Sequence, residues 1–504
     1  MVSTPSGDAR AVQGRVAGQP PATWKPWARS CCLTETTLAR FTISLTPMSR
    51  IPTSHPLRHR LPLGALAPLL LLLACTDVIE TRPPAVLSLE LAESGPLVRT
   101  LEIGLEQPAP VTVVYQTDDG PALEIVSPQA LRHRVPLGRL RSARTYHFEV
   151  VGTSHRGTFQ TDDLPPDLAQ VGLAVAGVPS VPLVLVHLFQ PDGFKGYAVT
   201  DAVGEVVWYW RTEDFPFGMT RRENGNFVFM DKQRGLVEVD PLGSVVHELA
   251  QDAMQREMHH DVIATPANTL LFIAFDTREV EGTLVKGEAI WEWWPETDDV
   301  VKRWTSWDHM SVTADRGPRF GTEWMHANAL GIGPRGNVLL SVHYWNQVVS
   351  IAPGWRDIEW RLGGVNATIA VPEDEQFSGQ HTAREVAPGR VVLFDNRVER
   401  GDYSRAVEFE LMGDRGEKRW EWSATPPNFA SAVSSARRLP NGNTLVGFGM
   451  SEGTVGSSGP TEVFEVTPDG DVVWHLVLSD VWIMYRAEPL WTIAGEERAT
   501  ASAP

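Results

Sequence analysis

Apolar and polar residues alternate with period two in three early runs: Val86-Leu87-Ser88-Leu89-Glu90-Leu91, Val111-Thr112-Val113-Val114-Tyr115 and Tyr146-His147-Phe148-Glu149-Val150-Val151. Strict alternation sends successive side chains to opposite faces, so each run predicts a strand buried on one side. Turn residues separate the runs at short intervals, the spacing of a small β-sandwich over residues 85–165. Asp162 to Asp167, with two prolines, reads as the linker that ends it.

From about residue 170 the pattern becomes repetitive. A glycine or asparagine turn precedes an apolar run at Asn224-Gly225-Asn226, Ala267-Asn268, Arg335-Gly336-Asn337 and Asn441-Gly442-Asn443, with Pro388-Gly389-Arg390 a degenerate fifth. Tryptophan-bearing strands recur between them around Trp208, Trp291, Trp360, Trp420 and Trp474. Units of roughly 40–55 residues built this way predict a β-propeller, in which stacked small sheets close a ring and hide their edges. The expected fold is all-β: a propeller over 170–485, with about 310 residues making six or seven blades, and a tail at 486–504. The sandwich is immunoglobulin- or fibronectin-like, since Leu140 followed by Thr145-Tyr146-His147-Phe148 resembles the tyrosine corner of such domains.

The first 75 residues read differently. Residues 1–47 show no alternation and are either a leader or precede the true start at Met48, the reading preferred here. From Met48, Arg50, Arg58 and Arg60 precede the apolar stretch Leu61 to Leu73, which meets Leu72-Leu73-Ala74-Cys75. This resembles a lipoprotein signal peptide with Cys75 as the lipidated residue, followed by a tether at 76–84. The expectation is an exported protein, lipid-anchored in the bacterial cell envelope. The other two cysteines are Cys31 and Cys32, so the folded part carries no thiolate nucleophile and no disulfide. A net charge of −18 argues against nucleic acid as a partner and requires any anion site to be a local cationic pocket.

Three histidine motifs stand ahead of strand-like runs: His259-His260-Asp261, Trp324-Met325-His326-Ala327-Asn328 and Gly379-Gln380-His381. They recur at about one repeat length, so a ring of blades would bring them to one mouth. With Trp307-Asp308-His309 and the pattern around Asp201 to Trp208, these motifs resemble the bacterial arylsulfotransferase family over most of residues 170–480. The resemblance implies a six-bladed propeller behind a small β-sandwich. It implies enzymes that move a sulfuryl group from an aryl sulfate donor to a phenolic acceptor without a nucleotide sulfate donor, and no cofactor or metal. Residue by residue, His381 matches the histidine that becomes sulfated and His326, with Asn328, a sulfate-binding and proton-handling position. His260 is preferred over His259 as the further ligand. Where the family pattern has an arginine after Ser-Ser, this chain has Ser341-Val342-His343. Arg384 is a candidate to supply that missing cation, or else pairs with Glu385 or Glu373.

A neutral imidazole can attack sulfur in line with a phenolate leaving group. Positioning and stabilisation of three equatorial oxygens then carry most of the catalysis, as in phosphoryl transfer. Losing the arginine removes a charge-assisted hydrogen bond of roughly 1.5–3 kcal/mol. Two other functions fit the same residues: a surface-anchored propeller that binds sulfated or aromatic ligands without turnover, and a hydrolase with His260, Asp261, His326 and His381 on a metal. Trp324 and His309 are expected to be structural, the latter beside Asp308. Size selectivity is expected in the loops Glu279–Gly287 and Glu452–Gly459.

Overall fold

The glycine and asparagine turns become hairpins that connect the first two strands of successive sheets. Gly225, Asn268, Gly336, Gly389 and Gly442 all adopt positive φ there, the conformation that Gly and Asn accept at least cost. A computed structural model describes residues 84–499, apart from 96, 253–255, 319–320, 451, 479–481 and 495–497. The leader, Met48, Cys75 and nearly all of the tether lie outside the described residues. The described part falls within one compact unit, Ile79–Pro504.

Among the described residues, six sheets follow the N-terminal one along the chain. Four are simple meanders that begin at the strands Pro216–Arg221, Glu257–Ala264, Ala327–Ile332 and His381–Ala387 and step outward antiparallel. A fifth begins at Ser435–Arg438 and takes Leu173–Gly177 on its outer edge. In the remaining sheet the late strand Ile483–Leu490 pairs with Leu183–Phe189, so the two ends of the ring are stitched together twice. The first strands of neighbouring sheets pack against one another around a common axis. The boundary expected at 485 therefore falls inside a strand, and residues 486–490 belong to the ring and not to a tail.

Second and third strands lie between neighbouring sheets and read as unbroken apolar runs for that reason. Leu270 to Ala274 and Val391 to Phe394 are fully buried. Each such leucine, isoleucine, valine or phenylalanine contributes about 1.5–3 kcal/mol on burial. Among the described residues the only α-helix is the single turn Pro166–Ala169, and none there is long and apolar enough to cross a membrane.

The N-terminal block is hydrogen-bonded as one six-stranded sheet. Its long strands Val98–Gln116 and Leu123–Leu137 break register around residues 104–111, and the two halves pair with different neighbours. Leu101, Ile103, Val113, Tyr115, Val135 and Phe148 share one core. Tyr146 Oη accepts the Arg141 N–H at 2.8 Å, the expected tyrosine corner. This block docks on the turns between third and fourth strands: Arg141 pairs with Asp201, and Gly95 lies against the Leu242 carbonyl, where no Cβ would fit. Antiparallel order places those turns at the end of the ring opposite the starts of the inner strands.

Candidate active site

Five of the six inner strands share one irregularity. Register breaks between Pro216 and Met219, Met258 and Val262, Ala327 and Ala329, His381 and Arg384, and Met484 and Ala487. Bulges bend a strand and re-aim its side chains. His260, His326, Thr382 and Ser434 carry positive φ at or beside this level, a conformation uncommon for residues with a Cβ and one that persists only when its surroundings fix it. Here it turns histidines from different sheets toward the axis.

Four imidazoles form a continuous chain. Ring centroids are 4.8 Å apart for His260 and His326, 5.3 Å for His326 and His343, and 5.4 Å for His343 and His381. Half-buried aromatics flank them: Phe217 lies 5.1 Å from His260 and Tyr344 stacks on His326 at 4.7 Å. His343, the replacement for the expected arginine, begins a short 3-10 turn and its N–H donates to the His326 carbonyl.

Hydrogen bonds fix which nitrogen each ring presents. His381 Nδ1 lies 2.8 Å from Asn396 Oδ1 and 3.1 Å from the Gly379 carbonyl. The Asn396 amide is oriented by donation from its Nδ2 to the Ala430 carbonyl. Two acceptors at Nδ1 place the proton there and leave the Nε2 lone pair for chemistry. Burial, partly offset by Asn396, lowers the His381 pKa to about 3, so the ring is neutral. Behind His260, Glu288 accepts from His259 Nε2 at 3.0 Å, and His259 Nδ1 then accepts from His260 Nδ1 at 2.8 Å. That relay leaves Nε2 of His260 as a lone pair too. Burial, followed by the charges of His326, His259 and His381, holds its pKa well below the usual value. His326 Nδ1 meets the Glu323 carboxylate at 2.6 Å, and this hydrogen bond keeps Glu323 below the ordinary carboxylate range despite burial.

Under the rings lies a buried pair that the motifs do not announce. Arg486 Nη1 donates to Asp261 Oδ1 at 2.6 Å and Nη2 to the Asn328 carbonyl at 2.8 Å. Burial works against the guanidinium charge, but Asp261 and Tyr485 outweigh it and raise its pKa. Gly218 permits this arrangement, since a Cβ there would collide with Asp261 Oδ1. Tyr485 Oη donates to the His260 carbonyl at 3.1 Å.

Of the residues expected at the site, His260, His326, His343 and His381 come together. His259 does not face the axis: both of its nitrogens are engaged and its ring stacks on Phe275, so it supports His260 and is not itself a ligand. Asn328 is fully buried and donates to the Gln380 carbonyl, bracing two inner strands instead of facing substrate. Arg384 is not at this site either, and pairs with neither Glu385 nor Glu373. Its Nη2 lies 3.7 Å from Asp261 Oδ2, on the far side of that carboxylate from Arg486. Trp324 is fully buried and His309 stacks on Trp304, both structural. Glu288, Glu323, Asn396 and Arg486 belong to the site without any motif that marks them in the sequence. Among the described residues no three His, Cys, Asp or Glu side chains are grouped as metal ligands would be.

No curated protein matches the chain. Solved structures similar to it include a protein of unknown function from Bacteroides caccae (15% identity, TM-score 0.41, 61% of this chain and 98% of that one). Another is virginiamycin B lyase from Staphylococcus aureus (10% identity, TM-score 0.33, 61% and 99%). A third is a gluconolactonase from Xanthomonas campestris (13% identity, TM-score 0.31, 62% and 93%). Similarities this low carry no functional argument. The family model for arylsulfotransferase (ASST) matches residues 180–486, which span the whole histidine chain and reach Arg486. This chain therefore belongs to the arylsulfotransferase family.

Proposed function

We propose that the protein transfers a sulfuryl group from an aryl sulfate to a phenol through a sulfohistidine at His381. The observation that carries this is the Nδ1–H of His381 tied to Asn396 and Gly379, which leaves a neutral, nucleophilic Nε2 beside three further imidazoles. The Nε2 lone pair attacks sulfur, the S–O(aryl) bond breaks, and its electron pair leaves with the phenolate. His326 protonates that phenolate from Nε2, while the Glu323 carboxylate at Nδ1 balances the positive charge the ring holds beforehand. An incoming phenol returns the proton to His326, its oxygen attacks sulfur, and the N–S bond breaks to restore His381. His343 lies beside His381 on the side of the sulfuryl oxygens, and the half-buried rings of Phe217 and Tyr344 flank the aryl group.

Mass spectrometry of protein quenched with a chromogenic aryl sulfate alone tests this. A sulfuryl adduct on His381 is expected, and His381→Ala is expected to lose both adduct and phenol release. A His381→Ala variant that turns over like wild type sinks the proposal. One observation favours a second reading, a binding propeller without turnover: His343 stands where the family pattern has arginine. Tight binding of the aryl sulfate with no phenol release would select it. Export and lipid anchoring at Cys75 belong to the same proposal, and metabolic labelling with a radioactive fatty acid, lost in Cys75→Ala, tests them.

A further inference from the structure

The axis has a second end. Opposite the histidines, Met219, Thr220, Arg221, Ile263, Arg384, Arg437 and Glu488 to Leu490 line a cavity of about 270 Å³. They come from five of the six inner strands. The sixth contributes room: a Cβ at Gly331 would press on Arg384 Cδ at 3.1 Å.

Most cations around this cavity are already engaged. Arg437 holds both oxygens of Glu488 through Nε and Nη2. Arg221 donates to the carbonyls of Gly225, Thr492 and Ile493. Arg486 is held by Asp261 and Asn328. Arg384 differs. Its guanidinium donates to the preceding Ala383 carbonyl and, among the described residues, otherwise reaches only Asp261, at 3.7 Å, an oxygen that already accepts the Leu330 N–H. Its side chain is 22% exposed. Burial and the neighbouring charge of Arg437 lower its pKa to about 9, which is how an under-compensated cation behaves. Half of the wall is apolar: Leu185, Met219, Ile263, Pro489 and Leu490.

We infer that this cavity binds a small organic monoanion, with its charged group on the Arg384 fork and its apolar body against Met219, Ile263 and Leu490. A guanidinium binds carboxylate or sulfonate oxygens through two parallel N–H bonds, and the Arg384 charge, met by a shared Asp261 oxygen at 3.7 Å, suits an anionic group. The cavity is separate from the proposed sulfuryl-transfer site, and the inference stands without it.

The test uses benzenesulfonate, which has no S–O(aryl) bond to transfer, and full-length protein carrying His326→Ala and His381→Ala to disable the histidine end. Calorimetric titration is expected to show saturable binding, weakened at least tenfold (about 1.4 kcal/mol) by adding Arg384→Met. No saturable binding in the double variant overturns the inference, and so does binding that Arg384→Met leaves unchanged. Should Arg384→Met fail to fold, Arg384→Lys, which keeps the charge but loses the fork, takes its place: weakened binding is again expected, and unchanged binding again overturns the inference.

Discussion

Glu323→Gln isolates one contact and leaves the volume of the side chain unchanged. The Glu323 carboxylate lies 2.6 Å from His326 Nδ1, with the two side chains 30% and 27% exposed. A hydrogen bond to a charged group contributes about 1.5–3 kcal/mol, and partial solvation places this one near the lower bound, about tenfold in rate. If His326 protonates the departing phenolate, the loss depends on how much the leaving group needs that proton. A nitrophenol leaves readily as its anion, so the variant should be close to wild type with nitrophenyl sulfate. An unsubstituted or methoxy-substituted phenol needs the proton, and kcat/KM should fall about tenfold or more. The assay is kcat/KM for a series of aryl sulfates plotted against the acidity of the released phenol. A steeper plot for Glu323→Gln is expected. Parallel plots, whether coincident or uniformly displaced, would refute the role given to His326 and reduce Glu323 to a packing residue.

Three further outcomes concern stability. Arg486→Met should destabilise the protein by about 3–5 kcal/mol in urea unfolding, because it strands a buried carboxylate, and adding Asp261→Asn should recover part of the loss; a cost below about 1 kcal/mol would contradict the buried pair. His187 and His381 have pKa values lowered to about 3, both by burial first, and His260 is lowered too. Each folded value lies below the unfolded one, so the unfolded chain binds more protons as pH falls and this stability is present above about pH 6.5 and lost toward pH 3. Urea midpoints measured across that window should decline steadily, and a flat profile would count against neutral buried histidines. Tyr146→Phe leaves the Arg141 N–H without its 2.8 Å acceptor and should cost about 1–3 kcal/mol while leaving any catalytic turnover unchanged, which a thermal melt beside an activity assay checks.

What the sequence could disclose was set by the range of each interaction. Turn chemistry and strand periodicity are local, so Asn224-Gly225-Asn226 and its counterparts announce the repeats, and repetition implies that the histidines converge. Arg384 fails for an equally local reason. Three residues beyond His381 at about 3.3 Å per residue is about 10 Å along the axis, and the intervening bulge adds a change of facing. Proximity in sequence along an axial strand is therefore distance from the mouth. Glu288 and Asn396 sit among residues of the second and third strands and their ends, which read only as core. Their meaning depends on a neighbour's carbonyl or ring, which no spacing encodes. Arg486 meets Asp261 across 225 positions. The sandwich was expected as separate runs because Gln107, Pro108 and their polar neighbours interrupt the alternation where one long strand changes partners.

The stitch between Leu183–Phe189 and Ile483–Leu490 has a consequence for biosynthesis. The ribosome completes every imidazole of the cluster about a hundred residues before it reaches Tyr485 and Arg486. A nascent chain halted in that interval owns all the reactive groups but neither the phenol that braces His260 nor the cation that neutralises Asp261. Function in such a molecule should arrive in a single step with the last strand, and shortening from the C-terminus should extinguish it abruptly between residues 490 and 483, with no graded decline.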